Sequence, residues 1–149
     1  LHHLKYRGVK EIGTTLGELA AIELKDTGIF NQVDLIIPLP IHEKKMKQRG
    51  YNQSEYVAKG LSNITDIHYA NAYVKKIIHT ESQTKKSRFK RWKNVESSFI
   101  VNQIEMIRNK HILLVDDVVT TGATAESCGN EILKVEGAKL NFLSIACAY

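Results

Sequence analysis

Residues 112–124, ILLVDDVVTTGAT, place two adjacent carboxylates, Asp116 and Asp117, after an apolar run and follow them with Thr120, Thr121, Gly122, Ala123 and Thr124. Neighbouring carboxylates repel, and they are costly unless a cation or several hydroxyl donors come to them. A vicinal diol, such as the two hydroxyls of a ribose, supplies donors at a matching separation. The turn that follows offers hydroxyls, backbone N–H groups and a flexible glycine at a helix entrance, which together make a phosphate cradle. A ligand with a diol on one side and a phosphate on the other satisfies both halves. A buried strand with two solvated acids and a threonine cap explains each part singly but fits the whole poorly.

Other readings of these residues fail elsewhere in the chain. An apolar strand ending in two acids suits a nucleotide-binding Walker B strand, but no GxxxxGK[ST] string precedes it. The GxGxxG dinucleotide fingerprint is also absent, and His42-Glu43 lacks the second histidine of HExxH because position 46 is Met.

The elements that must hold these residues follow from periodicity and punctuation. Over residues 9–25, Ile12, Leu16, Leu19 and Ile22 recur at helical spacing, which predicts an amphipathic helix with those four inward and Gly28 closing it. Residues 33–39 (VDLIIPL) predict a buried strand stopped by Pro38 and Pro40. A helix is expected over 52–62 with Val57, Ala58 and Leu61 inward, and strands over 72–78 and 99–101. The clearest strand is 110–117, followed by a helix over 123–135 with Gly137 beyond its end, then a strand over 140–148. Alternating strands and helices predict an α/β fold, a mostly parallel twisted sheet with helices on both faces. In such sheets ligands sit beyond the carboxyl ends of the strands, which is where the acid pair falls.

With 149 residues, 43% of them apolar and 25% charged, the chain reads as one soluble domain over 1–149. A core of that size needs neither metal nor disulfide, and Cys128 and Cys147 are read as small core residues. No apolar stretch approaches the roughly 20 residues that span a bilayer, and no secretory signal opens the chain, so the expectation is a cytoplasmic protein without membrane insertion. The first residue is Leu1 rather than Met, which suggests a piece of a longer chain.

The net charge of +5 has one source. Between residues 75 and 93, Lys75, Lys76, Lys85, Lys86, Arg88, Lys90, Arg91 and Lys93 face the single acid Glu81, a local +7 that leaves the remainder at −2. Localised positive charge attracts phosphates, on a small molecule or on a nucleic acid, and a solvated surface accounts for it equally well. Lys44, Lys45, Lys47 and Arg49 form a smaller basic group. The stretch 79–94 has no sustained apolar period and is expected to be a long loop, with Trp92 a candidate for stacking on a base.

The string ILLVDDVVTTGAT resembles the phosphoribosyl pyrophosphate (PRPP) signature of type I phosphoribosyltransferases. Together with PLPIHEKKMKQRGYNQS (38–54) and TESQTKKSRFKRWKNV (80–95), it resembles the ComF family of competence proteins over nearly the whole chain. The most specific parts are Pro38, Pro40 and His42, then Arg49-Gly50-Tyr51-Asn52-Gln53, and the spacing of Gln83, Thr84, Arg91 and Asn94. One departure is the missing cysteine-rich zinc ribbon with which ComF proteins usually begin, which is expected upstream of Leu1.

The resemblance implies a type I phosphoribosyltransferase-like fold with a flexible hood loop. Asp116 and Asp117 would hold the ribose hydroxyls as the catalytic pair, and Thr120, Thr121, Gly122, Ala123 and Thr124 would hold the 5-phosphate. Pro40, Ile41 and His42 would lie by the pyrophosphate. Gln83, Thr84, Lys86, Arg88, Arg91 and Asn94 would belong to a loop that closes over it. Mg²⁺ would come with PRPP, on substrate oxygens rather than on dedicated protein ligands. The implied function is transfer of the phosphoribosyl group to an acceptor during natural competence, the alternatives being a non-catalytic PRPP sensor or a protein that handles single-stranded DNA. Single-stranded DNA and other competence proteins are the implied partners. No residue pattern identifies an acceptor pocket.

Overall fold

The central strand of the fold is the apolar run that precedes the acid pair. In the computed structural model, which describes residues 2–78 and 98–148, β4 (His111–Val119) lies between β1 (Leu35–Pro38) and β5 (Lys139–Cys147), parallel to both. Leu35 pairs with Ile112 and Pro38 with Val115 on one side, and Leu114 pairs with Phe142 on the other. Ile112, Leu113, Leu114 and Val115 are fully buried, as a strand covered on both faces requires.

Side chains alternate from this sheet into two cores. Leu113 and Val115 meet Ile36, Leu143 and the helices α1 (His2–Leu24) and α3 (Gln53–Thr65), through Ala21, Val57 and Leu61. Ile112 and Leu114 meet Leu35, Ile37 and α5 (Ala123–Leu133), through Ala125, Cys128 and Ile132. Beneath α5 this second core also takes Val74 of β2 (Val74–Lys76), Phe99 of β3 (Phe99–Val101) and Ile107 of the short α4 (Ile104–Ile107). The two short strands pair antiparallel as a separate ribbon, outside the parallel sheet. The expected α/β architecture with helices on both faces is present, on a sheet that has three strands among the described residues.

Several local expectations need correction. The first helix begins at His2 rather than near residue 9, and the four large apolar residues chosen as its inner face point outward: Ile12 is 58% exposed and Leu19 52%. Its buried side is made of small residues. Gly17 and Ala21 are buried, and Gly17 meets Val57 and Gly60 of α3 so closely that a Cβ there would overlap the Val57 carbonyl. Backbone-to-backbone approach selected glycine where periodicity selects leucine. Residues 43–49 form a helix, α2 (Glu43–Arg49), that was not anticipated. The last helix stops at Leu133, and Gly137 takes its left-handed conformation (φ 69°) in the turn beyond. Cys128 is buried as expected, whereas Cys147 is exposed at the end of β5. The six residues assigned to a closing loop, Gln83, Thr84, Lys86, Arg88, Arg91 and Asn94, and also Trp92, lie outside the described residues.

The helix contact generates a test. Gly17→Ala and Gly60→Ala should each destabilise by about 1–3 kcal/mol, the range for overpacking, because each new methyl meets backbone that cannot rotate away. Gly50→Ala, at φ 80° with open space around it, should cost about 1 kcal/mol from backbone conformation alone. Urea unfolding of the three variants measures this. A smaller loss at Gly17 and Gly60 than at Gly50 would mean that the two helices are not in backbone contact.

Candidate functional site

Strand β1 does not end abruptly at Pro38. The Leu39 N–H donates to the Val115 carbonyl at 2.7 Å, which carries the ladder one residue further and sets where the loop 39–42 departs. Pro40, Ile41 and His42 then lead into α2, with His42 as its N-cap: the ring Nδ1 accepts from the Lys44 N–H at 3.1 Å. The helix closes at Gly50, and the chain turns back through Tyr51, buried and edge-to-face with Tyr56, into α3. Tyr51 is thus a packing residue.

Asn52 and Ser54 bring this segment to the acid pair. Asn52 caps α3 by accepting from the Ser54 N–H at 3.3 Å, and its amide Nδ2 donates to the Leu39 carbonyl at 3.0 Å. The Ser54 hydroxyl donates to Asp116 Oδ1 at 2.9 Å, and the Asp117 backbone N–H donates to the same oxygen at 2.9 Å. Asp116 and Asp117 lie within β4 rather than beyond it, since the strand continues to Val119 and Asp116 pairs with Ser144.

A cavity of about 160 Å³ opens between these parts. Of the residues expected at the site, Pro40, Ile41, His42, Asp116, Asp117 and Thr124 line it. Thr120, Thr121, Gly122 and Ala123 form the turn into α5 next to Thr124 and are not part of the wall. Gly122 takes φ 76° there as the N-cap residue, and the Thr121 hydroxyl accepts weakly from the Ala123 N–H at 3.4 Å. Lys45, Arg49 and Lys76, read from sequence only as members of the two basic groups, face the cavity as well, and so does Ser54, which carried no signal in the sequence. Arg49 is held by Gln53, its Nη1 donating to Oε1 at 2.9 Å. The two acids are thus opposed by three cations. Alongside lies a larger cleft of about 430 Å³ that shares His42, Asn52 and Lys76 and extends to Met46, Val74 and Ile77, with Asn71 donating to Glu55 at 2.6 Å on its wall.

Burial sets the electrostatics. Partial removal from water pushes Asp116 up to about 6; the Ser54 hydrogen bond opposes this, and the adjoining Asp117 carboxyl adds to it. Lys76 is held below its ordinary value, first by burial and then by nearby Lys45, against the pull of Cys128 and Asp116. Burial pushes the Cys128 thiol up to about 12, so it serves as packing rather than as a nucleophile.

Comparison with known proteins follows the same lines. No protein-family model matches the chain. Competence protein F of Haemophilus influenzae is 32% identical over 91% of the chain and 59% of its own length. The DNA utilization protein YhgH of Escherichia coli K12 is 28% identical over 90% of the chain and 60% of its own length. The chain spans about three fifths of the length of these curated relatives. Among solved structures, the glutamine PRPP amidotransferase from B. subtilis superposes with a TM-score of 0.60 at 16% identity, covering 89% of this chain and 26% of that one. The purine phosphoribosyltransferase from Pyrococcus horikoshii Ot3 gives 0.54 at 16% identity, covering 92% and 82%.

The raised Asp116 predicts a stability effect with a definite sign. The native state holds this proton more tightly than the unfolded chain, so the contribution is fully present below the ordinary carboxylate value of 3.8 and is lost as pH rises through about 6. At neutral pH the ionised carboxylate therefore strains the fold. Asp116→Asn keeps an acceptor for Ser54 and should stabilise by about 1 kcal/mol at pH 7.5, allowing for screening at a partly exposed site. The gain should vanish near pH 4. Chemical denaturation at both pH values checks it, and a variant equally stable or weaker at pH 7.5 would contradict it.

Proposed function

We propose that this chain, a homologue of competence protein F and the YhgH proteins with the fold of the type I phosphoribosyltransferases, binds PRPP with Mg²⁺ and transfers its phosphoribosyl group to an acceptor in the service of DNA uptake. The observation that carries the reading is convergence. Two strands of one parallel sheet deliver an acid pair and a proline-bounded loop to a single cavity, with Thr124 at the entrance of α5 beside them.

In this reading the ribose hydroxyls donate to Asp116 and Asp117, and the 5-phosphate takes the backbone N–H groups and hydroxyls of residues 120–124. Pyrophosphate lies along Pro40, Ile41 and His42, where Lys45, Arg49 and Lys76 supply positive charge. As the acceptor nitrogen bonds to C1, the bond from C1 to the pyrophosphate oxygen breaks. Positive charge grows on the ring near the carboxylates and negative charge on the leaving group near the cations, so the residues act by electrostatic placement. The acceptor would enter from the 430 Å³ cleft.

Among the described residues no group of three or more His, Cys, Asp and Glu could hold a metal ion. The donor set present fits an ion carried on the ligand's own oxygens, where Mg²⁺ neutralises pyrophosphate charge.

A second reading, a PRPP sensor or single-strand DNA handler without transfer, draws support from the relatives' names, which concern competence and DNA utilization, and from the +7 segment over residues 75–93.

Calorimetric titration with PRPP and Mg²⁺ tests the first reading. Binding is expected, and Asp117→Asn should weaken it about tenfold or more, the worth of a hydrogen bond to a charged group. Undiminished affinity in that variant would mean the ribose lies elsewhere, and binding without release of pyrophosphate in the presence of any acceptor would favour the sensor. For the DNA reading, replacing Lys85, Lys86, Arg88 and Lys90 with Ala should flatten the salt dependence of single-strand binding, whose slope is about −0.7 per neutralised phosphate. An unchanged slope would exclude that segment as the DNA surface.

A further inference from the structure

We propose that Ser54 is a positioning residue: from the first turn of α3 its hydroxyl fixes the Asp116 carboxylate in the orientation that receives the ligand diol. The identity of that ligand rests on the PRPP reading above, and the positioning itself rests on the geometry.

Among the described residues only two polar side chains are buried, Asn52 at 5% exposure and Ser54 at 2%. A buried hydroxyl is unfavourable unless it is bonded, and Ser54 is almost wholly removed from water at the wall it shares with Asn52 and Asp116. The serine is therefore a local cost whose compensation is its bond to Asp116, across 62 residues of sequence. Asn52 completes the line. Its amide holds the Leu39 carbonyl while its oxygen holds the Ser54 N–H, so a continuous run of hydrogen bonds joins the loop after β1 to the acid pair after the buried part of β4. The Leu39 N–H is already committed to Val115, which leaves that loop no freedom to shift without disturbing the run. Both bonds to Asp116 land on Oδ1, from Ser54 and from the Asp117 N–H, and this fixes the plane in which Oδ2 must lie.

The titratable groups that face Asp116 come from several elements: Asp117 beside it in β4, Lys76 from β2, and Lys45, Arg49 and the His42 ring across the cavity on the α2 side. None of these is altered by a change at Ser54, so such a change isolates the hydroxyl.

The experiment compares Ser54→Ala and Ser54→Thr with the unmodified chain by three measurements. The titration midpoint of the Asp116 carboxyl is followed by carbon NMR in the free protein, PRPP–Mg²⁺ affinity is followed by calorimetry against pH, and stability is followed by urea unfolding. Ser54→Ala should move the Asp116 midpoint upward, because it loses a bond that favours the ionised form. It should weaken PRPP about tenfold at pH 7, and the pH below which affinity fades should rise with the midpoint. Ser54→Thr keeps the hydroxyl and should return the midpoint toward that of the unmodified chain, even where the added methyl lowers stability. A helix residue with only a structural role would change the unfolding curve and leave the midpoint in place. An unmoved midpoint in Ser54→Ala would overturn the proposal, as would an unchanged PRPP affinity in a chain that binds it. Failure of the unmodified chain to bind PRPP would remove the ligand reading alone, since the midpoint in the free protein still decides whether Ser54 governs Asp116.

Discussion

Everything in this fold is arranged around a strand whose middle has water on neither face. Four consecutive residues of β4 are fully buried, so each backbone N–H and carbonyl there must find a partner in a neighbouring strand and each side chain must find one in a layer above or below. β1 and β5 answer the first demand, and the α1–α3 pair and α5 answer the second. Burial relaxes after Val115, and the next two residues are carboxylates. The acid pair thus occupies the boundary at which the strand leaves the cores, dry enough to raise one carboxyl and open enough for a ligand to reach it.

That boundary explains a division of labour between stability and chemistry. A carboxylate half out of water is unfavourable by itself, and a hydroxyl buried as Ser54 is buried is unfavourable unless it is bonded. Each compensates the other through one hydrogen bond. Sites that must receive a donor-rich ligand are expected to carry such unrelieved acceptor capacity, because a fully satisfied carboxylate would have nothing left to offer.

What could be read from sequence depended on whether a signal was local. The run ILLV followed by two acids, the prolines that close VDLIIPLP, and the threonine-glycine turn are each visible within a few residues, and the fold brings the acids, the loop after Pro38 and Thr124 to one cavity. Ser54 and Lys76 gave no such signal. The serine reads as an ordinary residue in a capped first turn, and the lysine as one more charge in a basic run, because their relevance comes from chain segments brought together only by the sheet. The inner face of α1 failed for a different reason. Periodicity counts large apolar residues, whereas two helices at backbone contact exclude them and leave Ile12, Leu16, Leu19 and Ile22 as an outer stripe. A pattern of Gly13, Gly17, Ala20 and Ala21 on one side was the available clue.

The pairing of Leu35 with Ile112 also shapes how the chain reaches this state. Those partners are 77 residues apart, so the first strand, three of whose residues are large aliphatics, emerges from synthesis long before anything can pair with it on the β4 side. The helical pair α1–α3 spans a shorter loop and faces a smaller closure entropy, which makes it the natural early assembly. The sheet then forms late, and until it does the aliphatic strand and the helix surfaces meant to cover it stay exposed to neighbouring chains. The longer residues 39–111 take to emerge, the longer that aliphatic surface is open to association with other chains.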